Sequence, residues 1–181
     1  MLSINIPASE GYDEYNNKFY YQPDVTLVME HSLFSISKWE SETERPFLNQ
    51  ESFTHDDLIL YYKCMTVNDV DDSAYDRLTY DMGAQINKYM GRKMTATWFY
   101  DSDKPRFNQP NRDIITSEII YYWMFALGIP MECDKWHINK LLTMIRVCEE
   151  KQNPKKMSRM DIFAQQRELN AMRKAQLGTR G

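Results

Sequence analysis

The chain has 181 residues, 43% of them hydrophobic and 27% charged, with a net charge of −4. That composition is ordinary for a globular protein and allows one domain with an appendage. The longest strongly apolar run, Ile119 to Ile129, is about half of the roughly 20 residues that cross a bilayer. The start, Met1-Leu2-Ser3-Ile4-Asn5-Ile6-Pro7, has no basic region followed by a long apolar one, so a soluble, non-secreted protein is expected.

Leu2, Ile4 and Ile6 alternate with polar residues, as do Val25, Leu27 and Met29; this is the period-2 pattern of strands with one wet face. Between them the polar stretch from Asp13 to Asn17 suits a turn. Phe19-Tyr20-Tyr21 can pair with its neighbours, and Pro23-Asp24 breaks the chain. A small antiparallel sheet is predicted. From Ser32 the pattern becomes helical, with Leu33, Ile36 and Trp39 toward one side, until Pro46 ends it. Thr54 offers an N-cap with Asp57 in the box position, followed by a short helix carrying Leu58, Leu60, Tyr61, Tyr62 and Met65. The acidic segment Asn68 to Asp72 reads as a loop or the start of a helix. It lacks the alternating ligands, central Gly and distal Glu of a calcium loop.

A further helix is predicted from Met82 to Met90, stopped by Gly91. Met94 to Tyr100 reads as a short strand or packed extended segment, and residues 101–112 as a surface loop. The strongest apolar pattern follows. Ile114 to Leu127 forms one helix, capped by Asp113 or Thr116 and closed by Gly128 and Pro130. A second helix begins at Asp134 and carries Ile138, Leu141, Leu142, Ile145 and Cys148 on one stripe. Because the first helix is apolar nearly all round, this hairpin is expected to be the core, with Trp123 and Leu142 at its centre. After Asn153-Pro154 a last helix is expected from about residue 157 to 177. The predicted fold is therefore α+β and mainly helical, with an N-terminal antiparallel sheet, a central helical hairpin and a basic C-terminal helix. The predicted domains are a globular body, 1–153, and a tail, 154–181.

No catalytic constellation emerges. The chain has six glycines and no Gly-x-Ser-x-Gly, phosphate-cradling loop or His-Glu-x-x-His. Cys133 and His137 have the spacing of two metal ligands on one helical turn, but a structural zinc needs four. Cys64, Cys133 and Cys148 lie in or beside apolar stretches and read as small buried hydrophobes. Glu40, Glu42 and Glu44 read as a solvated helix end. A non-enzymatic protein with no metal and no cofactor is expected.

Charge is unevenly distributed. Residues 154–181 hold seven basic side chains against two acidic ones, or +5, which leaves −9 on residues 1–153. Three readings of the tail stay open. It can be a solvated helix folded on the acidic body. It can be a partner-binding helix that docks through Ile162, Phe163, Leu169 and Met172, flanked by Arg167, Arg173 and Lys174. Or its charge can contact nucleic acid, although Phe163 alone supplies a stacking ring.

Several strings resemble the tail assembly chaperones of tailed bacteriophages. They are His31-Ser32-Leu33, Ser37-Lys38-Trp39-Glu40-Ser41, Pro46-Phe47-Leu48 and Thr97-Trp98-Phe99. The strongest is Thr116-Ser117-Glu118-Ile119-Ile120-Tyr121-Tyr122-Trp123-Met124, followed by Ile129-Pro130, Glu132-Cys133 and Lys135-Trp136-His137. Asn139-Lys140-Leu141-Leu142-Thr143 and Ile145-Arg146-Val147-Cys148 continue the block, and Leu177-Gly178-Thr179-Arg180-Gly181 matches the typical ending. The resemblance covers most of the chain from His31 onward and implies no functional residues. It implies a protein of the host cytoplasm that keeps tape-measure and tail tube subunits soluble until the tube polymerises, with homo-oligomers possible and no membrane. A structural virion component (neck, connector or baseplate part) and a nucleic-acid-binding accessory protein are the alternatives.

Overall fold

In a computed structural model, residues 1–99 and 114–152, together with Arg167 and Asn170, are described. The chain divides into two compact units, Met1–Arg146 and Val147–Gly181. The first unit opens with four strands, β1 (Leu2–Ile6), β2 (Ser9–Asp13), β3 (Lys18–Gln22) and β4 (Val25–Met29). Helices follow: α1 (Leu33–Thr43), α2 (His55–Met65), α3 (Tyr80–Met90), α4 (Ser117–Leu127) and α5 (Ile138–Gln152). Two 3-10 turns, Asp72–Arg77 and Met131–Lys135, precede α3 and α5. The class is α+β and mainly helical, as the periodicity predicts. Of the second unit, residues 147–152 continue α5, and Arg167 and Asn170 are helical and exposed.

The strands form two antiparallel ladders, β1 with β4 and β2 with β3. Both have one register: Leu2 faces Met29 and Ile6 faces Val25, then Ser9 faces Gln22 and Asp13 faces Lys18. Only two residues on each strand, Pro7-Ala8 and Pro23-Asp24, separate the ladders, because proline has no N–H to donate. Arg77 fills the break, donating from Nη1 to the carbonyls of Pro7 and Pro23 at 3.1 Å each. The outer edge of β4 is not left open. Val67 N–H donates to the Val28 carbonyl at 2.8 Å, and Asn68 both accepts from Val28 N–H and donates to the Thr26 carbonyl at 2.8 Å, which blunts a template for wrong pairing.

Helix ends follow local chemistry. Ser32 caps α1 through Ser35 N–H, and Thr54 with Asp57 forms the reciprocal capping box anticipated for α2. Arg45 and Thr54 hold the Asp57 carboxyl below the usual range. Gly128, at φ +67°, ends α4 in the left-handed conformation that glycine adopts without a Cβ penalty.

The core draws on residues 114–150 but is not centred there. Its largest fully buried side chains are Trp39 and Tyr61, joined by Ile6, Leu27, Met29, Leu33, Ile36, Met65 and Ile86 and, from the hairpin, by Ile120, Met124 and Ile138. Helix α1 packs on both α2 and α4. Helix α4 buries only Ser117, Ile120 and Met124, one stripe of spacing 3 and 4. Trp123 and Leu142 are half-buried. The second helix of the pair starts at Ile138 rather than Asp134, since Met131–Lys135 is wound as a 3-10 turn.

Candidate functional site

Two kinds of unusual surroundings occur in the first unit: a sealed polar network and aromatic surfaces left bare. The network gathers His31 and His137, whose rings meet edge to face at 5.1 Å. The chain crosses itself here, because Ser32 bridges His137 and Ile138 N–H donates to the His31 carbonyl at 2.7 Å. His31 Nδ1 pairs with the Tyr61 hydroxyl at 2.5 Å. His137 donates from Nε2 to the Tyr89 carbonyl at 3.2 Å, while its Nδ1 accepts Asn139 N–H at 3.3 Å. An Nδ1 that accepts cannot carry a proton, so this geometry fits neutral imidazole. Next to it the Tyr89 hydroxyl donates to Glu30 at 2.6 Å, and the Met1 ammonium pairs with the other Glu30 oxygen at 2.8 Å. Glu30, His31, Tyr61, Tyr89 and His137 are buried, Met1 is exposed, and the buried groups answer one another. They tie the start of β1, the end of β4 and the start of α5 to one turn each of α2 and α3.

Burial, and secondarily the neighbouring His137, lowers the His31 pKa to about 3, and burial lowers that of His137 as well. The unfolded chain therefore binds a proton near pH 6.5 that the folded chain refuses, so stability should fall as the pH drops below 6.5 and level off near pH 3. At about 1.4 kcal/mol per pH unit, His31 alone should remove about 2–3 kcal/mol between pH 7.5 and 4.5. Denaturant unfolding at the two pH values measures this. His31→Gln should flatten part of the slope, and an unchanged slope would mean that His31 titrates normally.

Glu40 is the second buried acid, contrary to its reading as part of a solvated helix end; Glu42 and Glu44 do face solvent. Its Oε1 accepts Phe47 N–H at 2.8 Å and its Oε2 accepts Ser117 N–H at 2.7 Å. Thr116 occupies the N-cap position of α4 without capping it. Thr116 is instead the main cause of the lowered pKa of the Glu118 carboxyl. The cap of α4 therefore comes from α1.

Among the described residues exposed aromatic rings are grouped in two places, with Phe34, Tyr80 and Trp98 exposed elsewhere. On α4, Tyr122 and Phe125 are each 68% exposed, with Ala126 and Glu118 also facing out. The other place is the β2–β3 arm. Because alternate residues share a face, the side of the ribbon that carries Ile4, Ile6, Leu27 and Met29 continues past the proline break as Glu10, Tyr12, Phe19 and Tyr21. The first four are at most 3% exposed, whereas Tyr12, Phe19 and Tyr21 are 46%, 86% and 64% exposed. Tyr12 and Phe19 pack together at 4.9 Å. On the reverse face the Tyr20 ring crosses Gly11 so closely that a Cβ there would lie 2.3 Å from it, which explains the glycine. Patches of this kind mark interaction sites more often than scattered apolar residues do.

Of the tail residues expected to bind a partner, Ile162, Phe163, Leu169, Met172, Arg173 and Lys174 lie outside the described residues; Arg167 is helical and exposed. The cysteines are free thiols, Cys133 buried and Cys64 and Cys148 half-buried, and burial pushes the Cys64 and Cys133 thiols up. Among the described residues no three His, Cys, Asp or Glu are grouped to hold a metal ion, and no helix is long and apolar enough to cross a membrane. The chain matches no protein-family model, no curated protein and no solved structure.

Proposed function

We propose that this chain is a non-enzymatic binding protein, and that it serves as a tail assembly chaperone for a tailed bacteriophage. One observation carries the reading. The segment with the strongest resemblance, Thr116 to Met124, belongs to the helix whose outer face leaves Tyr122 and Phe125 bare. A protein that transiently covers the apolar surface of unassembled subunits needs such a face, kept soluble by surrounding charge. The basic residues 154–181 supply a second contact, through Ile162, Phe163, Leu169 and Met172 with Arg167, Arg173 and Lys174 beside them. Work in the host cytoplasm follows from the same reading.

Co-expression tests it. A tape-measure or tail tube subunit that precipitates alone should stay in solution with this chain. Tyr122→Ser with Phe125→Ser should lose at least about half of that effect, as expected where aromatic anchors dominate. Loss of residues 155–181, or Ser at positions 162, 163, 169 and 172, should weaken capture further. Purified particles should lack the chain, and its presence there at fixed stoichiometry would favour the virion-component reading instead. If only nucleic acid is captured, with steep salt dependence, the chaperone reading fails.

A further inference from the structure

The β2–β3 arm poses a physical problem that the body does not. A two-stranded ribbon is marginal in water on its own, yet this one displays three aromatic rings on one side, Phe19 at 86%, Tyr21 at 64% and Tyr12 at 46% exposure. Pairing stops at Pro7-Ala8 and Pro23-Asp24 and resumes in the same register, so by alternation that side follows the face that is buried in β1–β4. In the body that face is covered, with Ile4, Ile6, Leu27 and Met29 all buried, and α3 is in contact with β1. The arm is also held in place. Arg77 binds the carbonyls of Pro7 and Pro23 on the two strands at the break, so the arm meets an incoming surface already oriented, which reduces the ordering cost of binding.

Charge selects the occupant. The arm, residues 9–22, carries Glu10, Asp13 and Glu14 against Lys18, on a body of net −9. Glu10 shares the aromatic side and Glu14 lies exposed in the turn. Two arms set face to face would bring these acids together, which disfavours a second copy. A helix with Lys or Arg along its flanks would instead place cations beside Glu10 and Glu14 and over the ring faces. The chain already uses that contact within itself, with Lys140 4.0 Å from the Trp136 ring centre and Lys93 4.3 Å from that of Trp98. We propose that the Glu10, Tyr12, Phe19 and Tyr21 side of the β2–β3 arm is a docking surface for a basic amphipathic helix of another protein. The proposal rests on the arm alone and does not require that the partner be a tail protein.

The test is calorimetric titration of the full chain with two synthetic probes, a Leu/Lys amphipathic helical peptide and a Leu/Glu peptide of the same pattern. The Leu/Lys peptide should bind and the Leu/Glu peptide should not. Tyr12→Ser, Phe19→Ser and Tyr21→Ser together keep every charge and should weaken binding at least about tenfold, while Tyr80→Ser, at an exposed ring on α3, should leave it unchanged. Near-UV circular dichroism checks that the body remains folded. Should the triple variant unfold, Glu10→Lys with Glu14→Lys decides instead: it should weaken the Leu/Lys peptide and favour the Leu/Glu one. Three results overturn the proposal. The triple variant, or the Lys variant, can bind the Leu/Lys peptide as tightly as the parent chain, which makes the contact general attraction to an acidic body. Binding can be lost in Tyr122→Ser with Phe125→Ser instead. Or the parent chain can form dimers that the triple variant does not, which makes the occupant a second copy.

Discussion

Replacing Trp39 with Ala is expected to lower the unfolding free energy by about 3–5 kcal/mol, through lost burial and the cavity left behind. Trp39 is fully buried on α1. Its indole N–H donates to the Asp57 carbonyl at 3.2 Å, which ties α1 to the first turn of α2. Phe47 and Phe53 meet its ring at 5.3 and 5.7 Å, and the Arg45 guanidinium lies over it at 5.1 Å. Few neighbours can collapse into the space, because several of them are rigid rings themselves. The same change at Trp123, which is half-buried, should cost under about 2 kcal/mol. Urea denaturation of the two variants compares them directly. A larger loss at Trp123 would return the centre of the core to α4.

That contrast shows what the sequence can and cannot carry. Alternation at Leu2, Ile4 and Ile6 and at Val25, Leu27 and Met29 is a local signal, and both runs form the strands it implies. Thr54 and Asp57 are likewise a local pair, and the capping box is present. Burial is not local. Residues 117–127 are apolar nearly all round, but only one stripe of α4 meets the body, so the same pattern that suggests a buried helix can equally describe a helix with a bare aromatic face. For Trp39 the pattern gives the side of the helix, shared with Leu33 and Ile36, but not the depth. Trp39 sits among Ser37, Lys38, Glu40 and Ser41, and its place at the centre depends on rings from Phe47, Phe53 and the α2 side. His31 and His137 meet only because the chain crosses itself, and spacing along the sequence contains no sign of that. The arm is intermediate. Its strand pairing is legible in Phe19-Tyr20-Tyr21, but its exposure follows from where the body ends.

Glu40→Ala should cost about 2–5 kcal/mol, because it strips two backbone donors of their acceptor at once. The carboxylate spans separate parts of the chain: Phe47, seven residues away, and Ser117, 77 residues away. Both bonds are charge-assisted, at 2.8 and 2.7 Å, a class roughly twice as strong as neutral pairs. Buried donors left without a partner lose about 1–3 kcal/mol each. Ser117 N–H is also the first of the four unsatisfied donors of α4, and the negative charge opposes the positive end of the helix dipole. Thr116, at the N-cap position, makes no side-chain cap bond of its own. Glu40→Gln keeps one acceptor and the shape, and turns an N–H group toward one of the two backbone donors, so an intermediate loss of about 1–3 kcal/mol is expected. Glu42→Ala and Glu44→Ala, on exposed side chains, should stay within about 0.5 kcal/mol. Denaturant midpoints rank the four variants, and amide exchange locates the effect: Phe47 and Ser117 should lose protection in Glu40→Ala while the β1–β4 amides keep theirs. Equal losses at positions 40, 42 and 44 would mean that Glu40 is an ordinary surface acid and that α4 is capped by some other group. A selective loss at position 40 would make one carboxylate on α1 the joint that fixes α4, and with it the direction in which Tyr122 and Phe125 face.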